Sequence, residues 1–164
     1  MHDSAYADAK KFFEDELPRL IDVTRPLRVG DFGSADVNGN LRGLMLPHWK
    51  YVSCDIVPGP NVDHVLSSAY SWPEIFDASF DVVVSSQTLE HVPKPWRWVP
   101  ELVRVLAAGG VMYLCAPNFM EFHEYPVDCW RVWPDGMRAL MQDAGLGVVK
   151  TYANGIDTTG IGVK

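Results

Sequence analysis

The residues best placed to do chemistry follow short apolar runs. Residues 27–32 form such a run, and Asp31-Phe32-Gly33-Ser34-Ala35-Asp36-Val37-Asn38-Gly39 continues from it. A glycine directly after a buried strand lets a ligand approach the backbone closely, and a helix N-terminus following it attracts negative charge. The loop lacks the dinucleotide fingerprint: counting from Gly33, the next two glycine slots hold Ala35 and Asn38. It also lacks the phosphate-loop pattern, because five residues separate Gly33 from Gly39 and Asn40 stands where lysine is required. Asp55 closes the next apolar run, 22 positions beyond Gly33. An acidic side chain at that point is placed to accept both hydroxyls of a ribose; the competing reading is a turn or helix-capping aspartate.

Two histidines are the candidates for moving a proton. His91 follows Glu90 just after the apolar run at residues 80–85, and His123 lies in an aromatic-rich stretch, residues 118–133. An imidazole titrates near neutrality and serves as a general base; it also caps helices and satisfies backbone groups. Tyr125, Trp130 and Arg131 share the long stretch with His123 and are the candidates for contacting a substrate. Arg131 would either clamp an acidic substrate or pair with Asp128 or Glu124. No His/Cys spacing points to a metal centre.

These residues need elements to hold them. Residues 5–21 read as a helix with Phe13, Leu17, Leu20 and Ile21 on one face, interrupted by Pro18. Strands are predicted at 27–32, 51–56, 62–66, 80–85, 111–116 and 147–153. Helices are predicted at 38–46, at 96–107 with Gly109-Gly110 ending it, and from Pro134 to Gly145. The continuous Val82-Val83-Val84 is what a parallel sheet buries on both faces. Alternating strands and helices predict a Rossmann-like, open, mostly parallel sheet with helices on both faces, a three-layer α/β/α domain. Ligands of such sheets sit beyond the carboxyl ends of the strands, where all the residues named above fall.

Two blocks carry a resemblance. Phe80-Asp81-Val82-Val83-Val84-Ser85-Ser86-Gln87-Thr88-Leu89-Glu90-His91-Val92 resembles the "LEHV" block of the small-molecule class I S-adenosylmethionine-dependent methyltransferases, of methyltransferase type 11. Glu101-Leu102-Val103-Arg104-Val105-Leu106, then Gly109-Gly110 and a strand ending in Pro117-Asn118, resembles their next block. His123-Glu124-Tyr125-Pro126, Asp128, Trp130-Arg131 and Pro134-Asp135-Gly136 resemble a segment of bacterial members with unassigned or sugar-related substrates. The resemblance implies S-adenosylmethionine as cofactor. Gly33 and Ser34 would meet its methionyl part through backbone amides, with Asp31 orienting the loop or the amine. Asp55 would hold the ribose and Ile56 the adenine face, with Ala69 and Tyr70 at the adenine edge. Ser86 and Gln87 would line the side near the sulfonium. The first loop departs from the family's G-x-G-x-G at Ala35 and Val37, and a β-branched Val37 does not suit positive φ. The implied activity is methyl transfer to a small-molecule or glycan-related acceptor; the alternative is a cofactor-binding module without turnover, acting as a regulator or partner subunit.

Composition bounds the rest. The 164 residues suit one domain: an N-terminal helical segment over 1–26, the core over 27–153 and a tail over 154–164. With 14 basic and 21 acidic residues the formal charge is −7, which disfavours a nucleic-acid partner. No apolar stretch is long enough to cross a bilayer and the first residues lack a signal-peptide pattern, so no membrane partner and a cytoplasmic location are expected. Cys54, Cys115 and Cys129 form no CxxC pair; the first two read as buried thiols. Asn154-Gly155 signals a turn. The glycine-weakened segment 158–163 after it would be a short edge strand, pairing across a homodimer or fraying.

Overall fold

The computed structural model describes residues 2–164. Among these, seven strands form one sheet in the order β3-β2-β1-β4-β5-β7-β6. They are β1 (Arg28–Phe32), β2 (Lys50–Asp55), β3 (His64–Val65), β4 (Phe80–Ser86), β5 (Leu106–Pro117), β6 (Gly147–Asn154) and β7 (Asp157–Val163). β1 to β5 pair in parallel, and β7 runs antiparallel to both β5 and β6. The chain order reverses between β1 and β4, and the cleft described below opens at that switch point. Three α-helices accompany the sheet: α1 (Asp3–Lys11), α2 (Pro95–Val105) and α3 (Pro134–Asp143).

The valine run of β4 is buried on both faces, as its composition requires. Val83, Met112 and Leu114 pack with α2 and α3, while Val82, Val84 and Tyr113 pack with α1. The N-terminal segment is helical to Arg19 but not uniformly. A π turn at Phe12–Glu16 follows α1, and a 3₁₀ turn at Leu17–Arg19 takes up Pro18.

Three expectations are corrected. Residues 38–46 form no α-helix, only a 3₁₀ turn at Arg42–Leu44. Asp36 accepts from Gly39 N (2.7 Å) and Asn40 Nδ2 (2.6 Å), and Asn40 Oδ1 accepts from Arg42 N. Such local side-chain bonds replace helical ones, and Gly39 at φ +114° is outside helical space. Second, α2 ends at Val105 and β5 starts at Leu106 with no loop between them. Gly109-Gly110 lies inside the strand and does not cap the helix. A Cβ at Gly110 would fall 2.8 Å from Ala107 O and 2.9 Å from Asp81 O, so the tight entry into β5 demands glycine there.

Third, the tail is neither frayed nor at the sheet edge. β7 lies between β5 and β6, and Asp157 through Gly162 are buried. The glycines are the reason it fits: a Cβ at Gly160 would stand 2.5 Å from Met141 Sδ, so a bare backbone lets α3 lie flat on the strand.

α1 is fastened to this hairpin through Asp8, which is 3% exposed. Its carboxylate accepts from Thr159 Oγ1, from Asn154 Nδ2 (3.1 Å) and from Tyr152 OH (3.3 Å). Asp8→Ala leaves buried donors without an acceptor and should destabilise the fold by about 2–4 kcal/mol. Urea denaturation checks this; a midpoint unchanged from that of the parent chain would contradict it.

Candidate functional site

One large cleft opens at the carboxyl ends of β1, β2 and β4, with a volume of about 1150 Å³. Asp31, Gly33, Ser34, Asp55, Ile56, Ala69, Tyr70, Ser86 and Gln87 all line it. The aspartates stand at the tips of adjacent parallel strands. Asp55 accepts from Ala35 N (3.0 Å) on one oxygen and from Val57 N (3.1 Å) on the other, which fixes its plane and leaves lone pairs free on both. Asp31 is buried and accepts from Tyr51 OH.

The glycine loop works differently from expectation. Gly33 N and Ser34 N both donate to Cys54 O, at 2.9 and 3.2 Å, so neither amide is available to a ligand. Ala35 N is spent on Asp55 and Asp36 N on Pro60 O. Gly33 is required for another reason. It sits at φ +77°, and a Cβ there would meet Thr88 at 2.2 Å. Thr88 Oγ1 in turn donates to Gly33 O, joining the loops after β1 and β4. Val37 is not among the residues with positive φ; it stands exposed at the rim.

The far wall comes from elements distant in sequence. Gln87, at φ +58°, donates Nε2 to Asp157 Oδ1 (3.1 Å), and its Oε1 lies 3.0 Å from His2 Nε2. Ser4 Oγ donates to the other oxygen of Asp157 at 2.7 Å. Residues 2–4 thus reach the cleft, and His2 is a lining residue that the sequence reading missed. No local motif marks it, because its position is set by the hairpin it rests on.

His91 and His123 both line the cleft, with their rings 5.1 Å apart. Beside them is Glu90, fully buried, with neither carboxylate oxygen hydrogen-bonded. Glu90 was read only as a neighbour of His91; the structure turns its side chain toward both histidines. Tyr125 lines the same corner. Trp130 and Arg131 do not line the cleft. Trp130 Nε1 donates to Val92 O (2.9 Å), and Arg131 grips Asp128 through both terminal nitrogens (2.5 and 2.7 Å). Arg131 also donates to Met120 O and Glu121 O. The pairing reading of Arg131 is the one the structure takes, and the pair braces the loop that carries His123.

The electrostatics of the cleft follow from burial. Desolvation pushes the Asp31 carboxyl up to about 7, against the Tyr51 hydrogen bond; the Asp55 charge adds to the rise and Arg42 opposes it. Desolvation also raises Glu90 to about 8 and holds His91 below the ordinary histidine range. Folding thus penalises ionisation of Asp31. Its contribution to stability is full below about pH 4 and is lost as the pH rises through about 7.

Strand order and cleft together define a Rossmann-like cofactor-binding fold of the methyltransferase kind. Residues 43–114 match the family model described as "Methyltransferase domain". An uncharacterized methyltransferase of Mycobacterium sp. (strain JLS) is 47% identical over 51 residues, 31% of this chain and 20% of the relative. A probable S-adenosylmethionine-dependent methyltransferase of Mycobacterium tuberculosis is 35% identical over 75 residues, 42% of this chain and 27% of the relative. The matched segments thus span only about a fifth to a third of the curated relatives' length. A SAM-dependent methyltransferase structure from Aquifex aeolicus superposes with TM-score 0.66 at 16% identity, covering 95% of this chain and 96% of that one. One from Mesorhizobium loti gives TM-score 0.66 at 11% identity, covering 97% and 100%. Residues 43–114 are thus similar to the methyltransferase domain family, and the fold as a whole is that of class I S-adenosylmethionine-dependent methyltransferases. Among the described residues no helix is long and apolar enough to cross a membrane.

Gly33→Ala should cost about 2–4 kcal/mol, from positive-φ strain and overlap with Thr88. Adding Thr88→Ala removes the two 2.2 Å overlaps but leaves the residue 88 Cβ at 2.7 Å, so it should recover part of the overlap share. Denaturation of the single and double variants reads the coupling; strictly additive effects would remove the Thr88 explanation.

Proposed function

We propose that this chain transfers the methyl group of S-adenosylmethionine to a small-molecule or glycan-related acceptor. The observation that carries the reading is the pair Asp31 and Asp55 at neighbouring strand tips, facing one cleft. The groups present fit the cofactor. Asp55 has a free lone pair on each oxygen for a ribose diol, flanked by Ile56 and Tyr70 for an adenine. Asp31 is a buried carboxyl lining the same cleft, suited to a ligand ammonium. Ser86 Oγ is buried without a hydrogen-bond partner, a polar atom that a ligand in the cleft would satisfy. The cleft exceeds the roughly 300–1000 Å³ typical of a single small ligand, which leaves room for an acceptor alongside.

When bound, the cofactor supplies a methyl group made electrophilic by its sulfonium. The protein's share is alignment: the carboxylates and Ser86 fix the donor, and the His91–His123–Tyr125 corner receives the acceptor. His2 and Gln87, 3.0 Å apart at their polar tips, form part of the same wall.

Asp55→Ala should weaken S-adenosylhomocysteine binding tens-fold to a few hundred-fold, from the loss of hydrogen bonds worth about 1.5–3 kcal/mol. Calorimetry on the folded variant reads this, and unchanged affinity overturns the ribose assignment. Binding without any methyl loss across hydroxyl, amine and sugar acceptors overturns the transferase reading and leaves a cofactor-binding module.

Asp31 adds a pH signature. A ligand ammonium favours the ionised carboxylate, so affinity should rise as the pH climbs toward about 7 and level off above it. Adenosine, which has no ammonium, should bind with a flat profile. Parallel profiles for adenosine and S-adenosylhomocysteine would remove Asp31 from amine recognition.

A further inference from the structure

The corner formed by Glu90, His91 and His123 has more order than an acceptor pocket needs. Glu90 Oε1 lies 3.6 Å from His91 Nε2 and 4.0 Å from His123 Nε2. One ligand atom from each of the three residues falls within 4.8 Å of the other two. The tautomers of both rings are set by their other nitrogens. His91 Nδ1 is 2.6 Å from Val127 O, and His123 Nδ1 is 3.0 Å from Glu121 O. A carbonyl only accepts, so Nδ1 carries the proton in each ring and Nε2 presents a bare lone pair. Two bare imidazole nitrogens and the Glu90 carboxyl therefore converge, and Glu90, fully buried, has no hydrogen-bond partner on either oxygen among the described residues. A cation at the centre of this set satisfies all three at once, the carboxyl included.

We propose that Glu90, His91 and His123 form a binding site for a divalent first-row transition-metal ion of the zinc type, with its open positions facing the cleft. Two imidazoles and one carboxylate suit such ions, whereas magnesium and calcium favour oxygen-only sets. A tetrahedral set at about 2.1 Å places ligand atoms about 3.4 Å apart, close to the separations found here. Outer contacts orient the ligands as metal sites require. Val127 and Glu121 carbonyls hold the two Nδ1–H groups. Asp128, clamped by Arg131, accepts the His123 backbone N–H at 2.7 Å. This gives the Asp128–Arg131 pair a purpose: it sets where His123 stands. An ion at this corner would bind an oxygen-bearing acceptor and ease loss of its hydroxyl proton. The acceptor class favoured is thus one whose oxygens can coordinate, such as a hydroxy acid or vicinal diol. The site does not rest on the methyl-transfer reading.

Cobalt(II) is the direct probe, because its visible absorption reports coordination. The parent chain should bind Co²⁺ stoichiometrically, be displaced by Zn²⁺, and melt at a higher temperature with Zn²⁺ present. His123→Ala and Glu90→Gln should each lower Co²⁺ affinity by on the order of a hundredfold, at least what loss of an outer contact costs. His123 is in an exposed stretch, so this variant should fold, as circular dichroism will check. His48→Ala, His64→Ala and Cys129→Ser should leave Co²⁺ binding unchanged. No Co²⁺ binding by the parent chain, or binding that survives both His91→Ala and His123→Ala, overturns the site. S-adenosylhomocysteine calorimetry on the same preparations separates the two readings: cofactor binding without metal binding removes the metal site alone.

Discussion

The structure depends on how one helix is pinned to one face of a sheet. β4 and its neighbours are apolar on both faces, so both must be covered. α2 and α3 cover one. On the other, the connections after β1 and β2 form no α-helix, and α1 with its π and 3₁₀ continuation supplies the main cover. Hydrophobic contact alone would let such a segment slide. Asp8 stops this by taking three hydrogen bonds from the β6–β7 hairpin, and Asp157 by taking one from Ser4. Both carboxylates are buried, and each is compensated by directed donors, the condition under which a buried charge gives position instead of penalty.

The same fastening builds the cleft. Because Ser4 is tied to Asp157, His2 comes to lie against Gln87. Because Asp157 also takes the Gln87 amide, the tip of β4 is held in the left-handed conformation at Gln87. That turn starts the segment carrying Thr88, Glu90 and His91. Thr88 then packs so closely on Gly33 that no side chain is tolerated there. Loops after β1, β4 and β6 therefore form one coupled rim. The rim is stiff because its polar atoms are spent on each other, which also explains why the Gly33 and Ser34 amides cannot serve a ligand.

What the sequence disclosed follows from the range of the interactions involved. Strand burial is local, and the valine run and the run ending in Asp55 read directly as strands with functional tips. The cofactor-side residues follow, since strand ends fix them. Residues 38–46 misled because their apolar spacing imitates a helix while Asp36 and Asn40 satisfy the backbone from their side chains. Residues 158–163 misled in the opposite way. Glycines that weaken an isolated strand are what allow this one to lie under Met137 and Met141. His91 and His123 were visible as residues but not as a pair, for 32 positions separate them, and the loop is brought back by bonds joining Cys129, Trp130 and Val127 to the Glu90–Val92 turn and by the Asp128–Arg131 brace.

Glu90 shows why its role could not be read beforehand. In the sequence it is one letter of a block, and a glutamate after a strand usually points into water. Here the turn at Leu89–His91 puts it inward, with the backbone of Cys129 and Trp130 donating to its carbonyl and closing solvent out. Burying a carboxyl so placed costs free energy, and among the described residues no hydrogen bond to its oxygens offsets that. By contrast Asp8 and Asp157, equally buried, are fully engaged. The contrast separates buried carboxylates that hold the fold together from one with no hydrogen-bond partner among the described residues. Glu90 belongs to the second kind because the Nε2 atoms of His91 and His123 stand 3.6 and 4.0 Å from its carboxyl, too far for a direct hydrogen bond.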